Sequence, residues 1–410
     1  MTTSSRTGPP EILDHDLNKH FPELLKFEST PEMEASDLWP KICQDVDRIL
    51  NAVVVSSPSS PPYEGGVAAA SADGVVLSQG IRALAWNLER GTQFDGIRDA
   101  LKNDRRLSNA DVLMLPELDH GMVRSGNRFV AKELAEALGL NYAFAPVYIA
   151  LQKGSGVEAA IAGENTASIH GLAMMSPHPM KNVHAVPLPN GKDKMWGKEK
   201  RIGWLRALIA DIEHPAGTFR AVTVHLDVHC SREHRRRQIQ IILDHLDTLP
   251  PLPTLIGGDW NTTTFNAQTA RHAILGYWRR VMMGVENVAV NHFPHPDRYF
   301  ERELFALVES RGYEYRSLNE PGVGTLHYDV ASVEKNTNLR DWVPEWCFRF
   351  IFWAAGRVGG KVSVRLDWFA GKGIELAPGT TPQTLGGLTN ENGEPLSDHD
   401  AITVDLRLSG

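Results

Sequence analysis

Two hydrophobic periods alternate along this chain, and the changes between them mark its elements. Leu38, Ile42, Val46, Ile49 and Leu50 recur at three- and four-residue steps, which predicts a helix with one apolar face from about Ser36 to Val54. From Ile81 onward, short apolar runs alternate with helical patterns. Residues 81–86, 111–115, 169–175, 205–212, 219–225, 254–257, 362–369 and 401–406 read as strands, and 93–102, 128–138, 231–246 and 297–311 as helices. Ser231 stands where an N-cap would open the third of these helices. Some strands follow one another directly, whereas others are joined through helices. That mixture predicts stacked mixed sheets with helices outside, not a doubly wound parallel sheet.

Three stretches break the pattern. Residues 1–35 are polar and Pro-punctuated, and read as loop-like or as an arm laid on the body, which chemistry can do without. Residues 56–79 are rich in Ser, Pro, Gly and Ala and read as a linker. Residues 262–350 mix basic and aromatic side chains, among them Arg279, Arg280, His292, Phe293 and Tyr299. This stretch reads either as a substrate-facing insertion or as an amphipathic helix with snorkelling basic side chains. The expected organisation is an N-terminal arm, helix and linker over 1–80, then one layered domain over 81–410 with an insertion at about 262–350.

Composition narrows the class. In 410 residues, 42% hydrophobic and 22% charged positions exclude a wholly disordered chain. The balance of 42 basic against 50 acidic residues gives a net charge of −8. This removes the simplest argument for a broad nucleic-acid surface, although a local basic groove would suffice for one. Cys43, Cys230 and Cys347 are far apart and odd in number, so neither a disulfide framework nor a zinc ribbon is expected. No apolar run approaches the roughly 18–20 residues of a membrane span. The first residues lack a basic start followed by an apolar stretch. A cytoplasmic location is therefore expected.

Polar residues recur at strand ends, where loops converge and sites form. Asn87 follows the strand at 81–86, Glu117 the strand at 111–115, and His225 closes the strand at 219–225. Gly257-Gly258-Asp259-Trp260-Asn261 follows another apolar run, Asp367 lies in 362–369, and Ser397-Asp398-His399-Asp400 precedes the last strand. Singly, such residues are more often turn residues or caps. Together they suit a hard cation: a carboxylate and an amide after two early strands supply oxygen ligands. A late Asp-His supplies an imidazole whose tautomer a separate Asp can fix. Asp119 and the alternation His225, Asp227, His229 also raise the option of a second cation.

These blocks, in this order, resemble the endonuclease/exonuclease/phosphatase superfamily, the metal-dependent hydrolases with a pancreatic-deoxyribonuclease-like fold. The resemblance lies in Ala85–Glu89, Leu115–Asp119, His170–Pro177, Thr223–Leu226 and the group Gly258–Asn261, Leu366–Trp368 and Ser397–His399. It covers about residues 81–408 and is loose over 262–350. It implies an α+β, four-layer α/β/β/α sandwich of two mixed sheets with helices outside. It also implies that Asn87, Glu117 and Asp398 serve the metal, Mg2+ with Mn2+ as an alternative. Asp259 with Asn261 would orient or deprotonate the attacking water, His225 would donate to a phosphate oxygen, and His399 held by Asp367 would contact the phosphate or move a proton. Where some members carry an Asp two residues after the first-strand Asn, this chain has Glu89.

The resemblance implies a phosphoesterase and leaves its substrate open. The partner is a phosphate ester, either a small molecule or nucleic acid. The acidic balance favours a small or single-site phosphodiester, with a DNA or RNA nuclease as the alternative. A non-catalytic scaffold of the same fold is a further alternative, against which the full residue set argues. A lipid enzyme would call for an exposed apolar segment, which the sequence does not single out. The Lys192–Arg201 loop reads as a cleft border or a solvated surface, and Arg235-Arg236-Arg237 as a solvated face. Oligomeric state is not legible.

Overall fold

A computed structural model of the chain describes residues 12–56, 80–262, 266, 268–329, 361–409 and the isolated positions 353, 356, 357 and 359. Nearly all of the 56–79 linker, and part of the 262–350 stretch, therefore lie outside the described residues.

Two β-sheets carry the site. The first contains β1 (Ile81–Ala85), β2 (Val112–His120), β3 (Asn141–Ala150) and β4 (Ile169–Ser176). The second holds β5 (Met180–Leu188), β6 (Leu205–His214), β7 (Gly217–His225), β8 (Thr254–Asp259) and β9 (Asp367–Lys372). The last long strand, β10 (Ala401–Leu408), returns to the first sheet. The orders are β3-β4-β2-β1-β10, with short strands added at the ends, and β9-β8-β7-β6-β5. Alternation along β1 sends Ile81, Ala83 and Ala85 into a core shared with the second sheet, while Leu84 and Trp86 join the helices on the other side. These helices are α1 (Trp39–Asn51), α2 (Phe94–Asn103) and α3 (Val130–Leu138). Against the second sheet pack α4 (Arg232–Asp247) and, after the outlying α5 (Ala270–Met282), α6 (Arg302–Ser310). The expected sandwich of two mixed sheets with helices outside is present.

Most neighbouring strands run antiparallel. The pairs β1/β2 and β7/β8 are parallel, each crossing over through one helix, α2 and α4. Parallel neighbours end on the same edge, so these two pairs bring four strand ends to one pole. As expected, the Ser231 side chain caps α4 by accepting the His234 N–H.

Several local expectations change. The run 362–369 is two strands, Lys361–Val364 and β9, broken at Arg365-Leu366. Arg365 is buried there, and its guanidinium donates to the Glu320 and Val323 carbonyls. The helix expected over 297–311 starts only at Arg302. Residues 12–35 lie on the body as an arm, the second of the two options. They form short helical turns whose Leu13, Leu17, Leu24 and Met33 are buried in one cluster with α1 and the outer face of the first sheet. The Arg235 side chain is wholly buried and paired with Glu301, so only part of the Arg235–Arg237 run is a solvated face.

Candidate active site

The pole where the parallel pairs end is built by ladder register. On the second sheet, Asp259 is the Cα partner of His225 on one side and of Asp367 on the other, so three site residues stand in one row. Gly258 makes this row possible. Its φ is +129°, and a β-carbon there would lie 2.2 Å from the Val224 carbonyl oxygen. On the first sheet, the β2/β4 ladder slips between Leu115 and Leu118, and Glu117 adopts φ +57° at that irregularity. The slip turns Glu117 away from the regular alternation.

These groups meet across the gap between the sheets. His225 Nε2 lies 3.6 Å from Glu117 Oε1 and 3.5 Å from Asp259 Oδ2. Asn87 Nδ2 donates to Asp259 Oδ2 at 3.2 Å, and Asn87 Oδ1 accepts the Glu89 N–H. The Asn261 N–H donates to Asp259 Oδ1 at 2.8 Å, while its amide group reaches the Leu226 carbonyl. His399 Nδ1 is 2.8 Å from Asp367 Oδ2, and its Nε2 is 3.8 Å from Asp259 Oδ2. The His399 backbone is fixed as well, because its carbonyl accepts the Trp86 indole N–H and its N–H reaches Ser397 Oγ. Asp398 donates its N–H to Glu89 Oε2 at 3.1 Å. All eight residues singled out in the sequence therefore fall in this one cleft.

The electrostatics divide the carboxylates. Burial disfavours the Glu117 charge, but His225, Arg90, His170 and His399 outweigh it and hold its carboxyl down at about 2. Burial, then Asp398 and Glu117, push Glu89 up to about 8. Asp398 is raised by burial and by Glu117. Asp259 is raised to about 6 by burial and by Asp367, against the pull of His399. Burial works against a charged His399 ring, but Asp367 and Asp259 hold it well above its ordinary value. Glu89, Glu117 and Asp398 thus form an acidic corner in which Glu117 is ionised and its two neighbours hold their protons more tightly. That donor chemistry, all oxygen, fits a hard divalent cation. Asp259, Asp367 and His399 also lie within ligand distance of one another, but the His399–Asp367 bond makes that group a dyad.

Sequence reading gave no role to three contributors. Glu89 enters through a positive φ of 45°. Arg90 enters the same way, at φ 68°, and pairs with Glu158. His170 stands opposite Asp119 on the β2/β4 ladder and shares its proton with that carboxylate at 2.8 Å. The suggested second cation finds no support. Both Asp119 oxygens meet the Arg124 guanidinium, and Asp227 binds Lys194 and the Gly191 N–H. The Lys192–Arg201 loop is likewise engaged. Besides Lys194, Lys200 donates to the Leu25 and Phe27 carbonyls, and Arg201 pairs with Glu199. At the opposite end of β2, Asp111 Oδ1 lies near His178 and His214. His214 Nδ1 accepts the Ala216 N–H, so its proton sits on the nitrogen facing Asp111. That group is a hydrogen-bonded clasp remote from the cleft.

Comparison with solved structures gives low identities. An endonuclease/exonuclease/phosphatase from Beutenbergia cavernae is 18% identical, covering 81% of this chain and 72% of its own, with a TM-score of 0.49. The human Nocturnin catalytic domain is 15% identical, covering 80% of this chain and 94% of its own, at 0.46. A 3'-5' exonuclease from Neisseria meningitidis is 13% identical, covering 80% and 100%, at 0.44. No curated protein matches the chain. A family model described as Endonuclease/Exonuclease/phosphatase family matches residues 84–399, which span every site residue above. The chain belongs to the Endonuclease/Exonuclease/phosphatase family.

Proposed function

We propose that the cleft hydrolyses a phosphate ester, a phosphodiester before a monoester, by in-line attack of water. Membership of the family makes a phosphoester hydrolase the coarse reading, and the family's enzymes generally use divalent metals. The observation that carries the finer one is the row His225–Asp259–Asp367 with His399 over it, facing the acidic corner at Glu117. Glu117 and Asp398, with Glu89 in place of Asn87, whose side chain is engaged by Asp259 and the Glu89 N–H, would hold Mg2+, or Mn2+, which would supply charge neutralisation at the phosphate oxygens. Asp259, near 6, is largely ionised at neutral pH yet basic enough to take a proton from water. Asn87 and Asn261 both hydrogen-bond Asp259 and so aim it. His399, kept protonated by Asp367, would give its Nε2 proton to the leaving oxygen as the ester bond breaks, and His225 would donate to a non-bridging oxygen. A base and an acid are thus set apart by environment, which is how one cleft runs both roles at one pH.

The substrate reading favours a small or single-site phosphodiester over long duplex DNA. Support comes from the net charge of −8 and from the basic loop, whose Lys194, Lys200 and Arg201 are already bound to the protein. The test is a pair of salt titrations, one on a chromogenic diester and one on supercoiled plasmid. Hydrolysis of the diester should change little with salt. Fast plasmid cleavage that falls steeply with salt, without diester turnover, would make the protein a nuclease.

A further inference from the structure

Between Asn261 and Asp367, both residues of the cleft, the chain runs through α5 and then through α6, which packs on the second sheet. Within that stretch α5 exposes Leu275 (68%), Trp278 (41%) and Met282 (81%). Their spacing of three and four residues places them on one stripe of the helix. Val290 and Tyr299 are exposed further on. These five make up half of the ten large apolar side chains exposed among the described residues, gathered in 25 positions. Exposed apolar groups scattered singly need no explanation, but a cluster does.

Charge says what the cluster suits. Residues 270–282 contain Arg271, Arg279 and Arg280 and no Asp or Glu, and 283–299 add Arg298 against Glu286 and Asp297, in a chain whose net charge is −8. Arg271 and Arg279 are exposed, and at four-residue steps from Leu275 they lie along the same stripe. The platform is tied to the body, because the Phe293 carbonyl accepts the Arg365 N–H and the Phe300 carbonyl accepts the Arg232 guanidinium. A helix that presents Trp, Leu and Met among arginines has the chemistry of a segment lying in a membrane interface, its arginine stems snorkelling to the headgroups.

We propose that this face of α5 docks the protein on an anionic phospholipid bilayer. The docking stands apart from the proposed hydrolase activity. No described helix is long and apolar enough to cross a membrane, so the contact lies on one leaflet.

The full-length protein is sedimented with vesicles of phosphatidylcholine alone or mixed with phosphatidylserine. It should pellet with the mixed vesicles, and R271Q and R279Q should each weaken binding about fivefold. The triple variant L275S/W278S/M282S should stay in solution while keeping its melting temperature and its turnover of a soluble chromogenic diester. Absence of pelleting by the parent, or equal pelleting by the triple variant, would overturn the proposal. So would a parent dimer in ultracentrifugation that the triple variant dissolves, which would make the face a self-association surface. Sedimentation needs no turnover, so an inactive protein that still pellets would count against the hydrolase reading alone.

Discussion

His399 Nδ1 lies 2.8 Å from Asp367 Oδ2, joining the segment that leads into β10 of one sheet to the first residue of β9 in the other. Both side chains are buried, so the bond links the sheets at the floor of the cleft.

That bond sets the first prediction. His399→Ala should lower turnover by roughly 10²–10⁴, the range of a positioned acid–base group. Asp367→Asn should lower it less, since the ring stays but loses the carboxylate that keeps it charged. Steady-state rates on a chromogenic diester decide this, and a His399→Ala enzyme close to the parent would remove His399 from the chemistry.

A second prediction concerns proton linkage. The Glu89 carboxyl is raised from 4.5 to about 8 and the Asp259 carboxyl from 3.8 to about 6. Groups raised in the folded state stabilise it fully below their unfolded values and lose that contribution as pH climbs through the folded ones. Buried histidines held low, such as His120 and His229, add stability up to about pH 6.5, so metal-free protein should lose stability between about pH 7 and pH 8, by at most about 1.4 kcal/mol per pH unit for each proton released. Saturating Mg2+ should flatten that slope, because the cation replaces the protons. Denaturant melts across this range, with and without Mg2+, provide the check. A flat metal-free profile would contradict the assignment.

The N-terminal segment gives a third. Leu17 and Leu24 are buried beside α1, and the main chain at 25–27 is held by Lys200. Leu24→Ala should cost about 2–5 kcal/mol, as for other buried leucines. Deleting residues 1–35 should lower the melting temperature clearly, and an unchanged temperature would mean that the segment does not dock in solution.

Legibility in the sequence followed locality. The strands ending in Asn87, His225 and Asp259 were readable because apolar runs stopped at polar residues. Strand β3 went unread because it is buried almost throughout and contains Pro146, which breaks the usual strand signature. Strand β5 carries many polar residues and Pro187 because it is an edge that pairs only with β6. Glu89 and Arg90 join the site through left-handed backbone, and His170 through a partner 51 residues away. Of these only Glu89 shows locally, two residues after Asn87. Residues 12–35 looked like a loop because their contacts are distant ones, such as Thr30 with Asp193 and His15 with the Ala167 carbonyl.

Metal dependence is the central claim, and a single assay tests it most directly. Chelator-treated protein is offered a chromogenic phosphodiester, first in excess chelator and then with Mg2+ or Mn2+ restored, beside Glu117→Ala. The account predicts no turnover in chelator, recovery with either ion, and a folded Glu117→Ala protein that needs far more metal. Full turnover in excess chelator would contradict it.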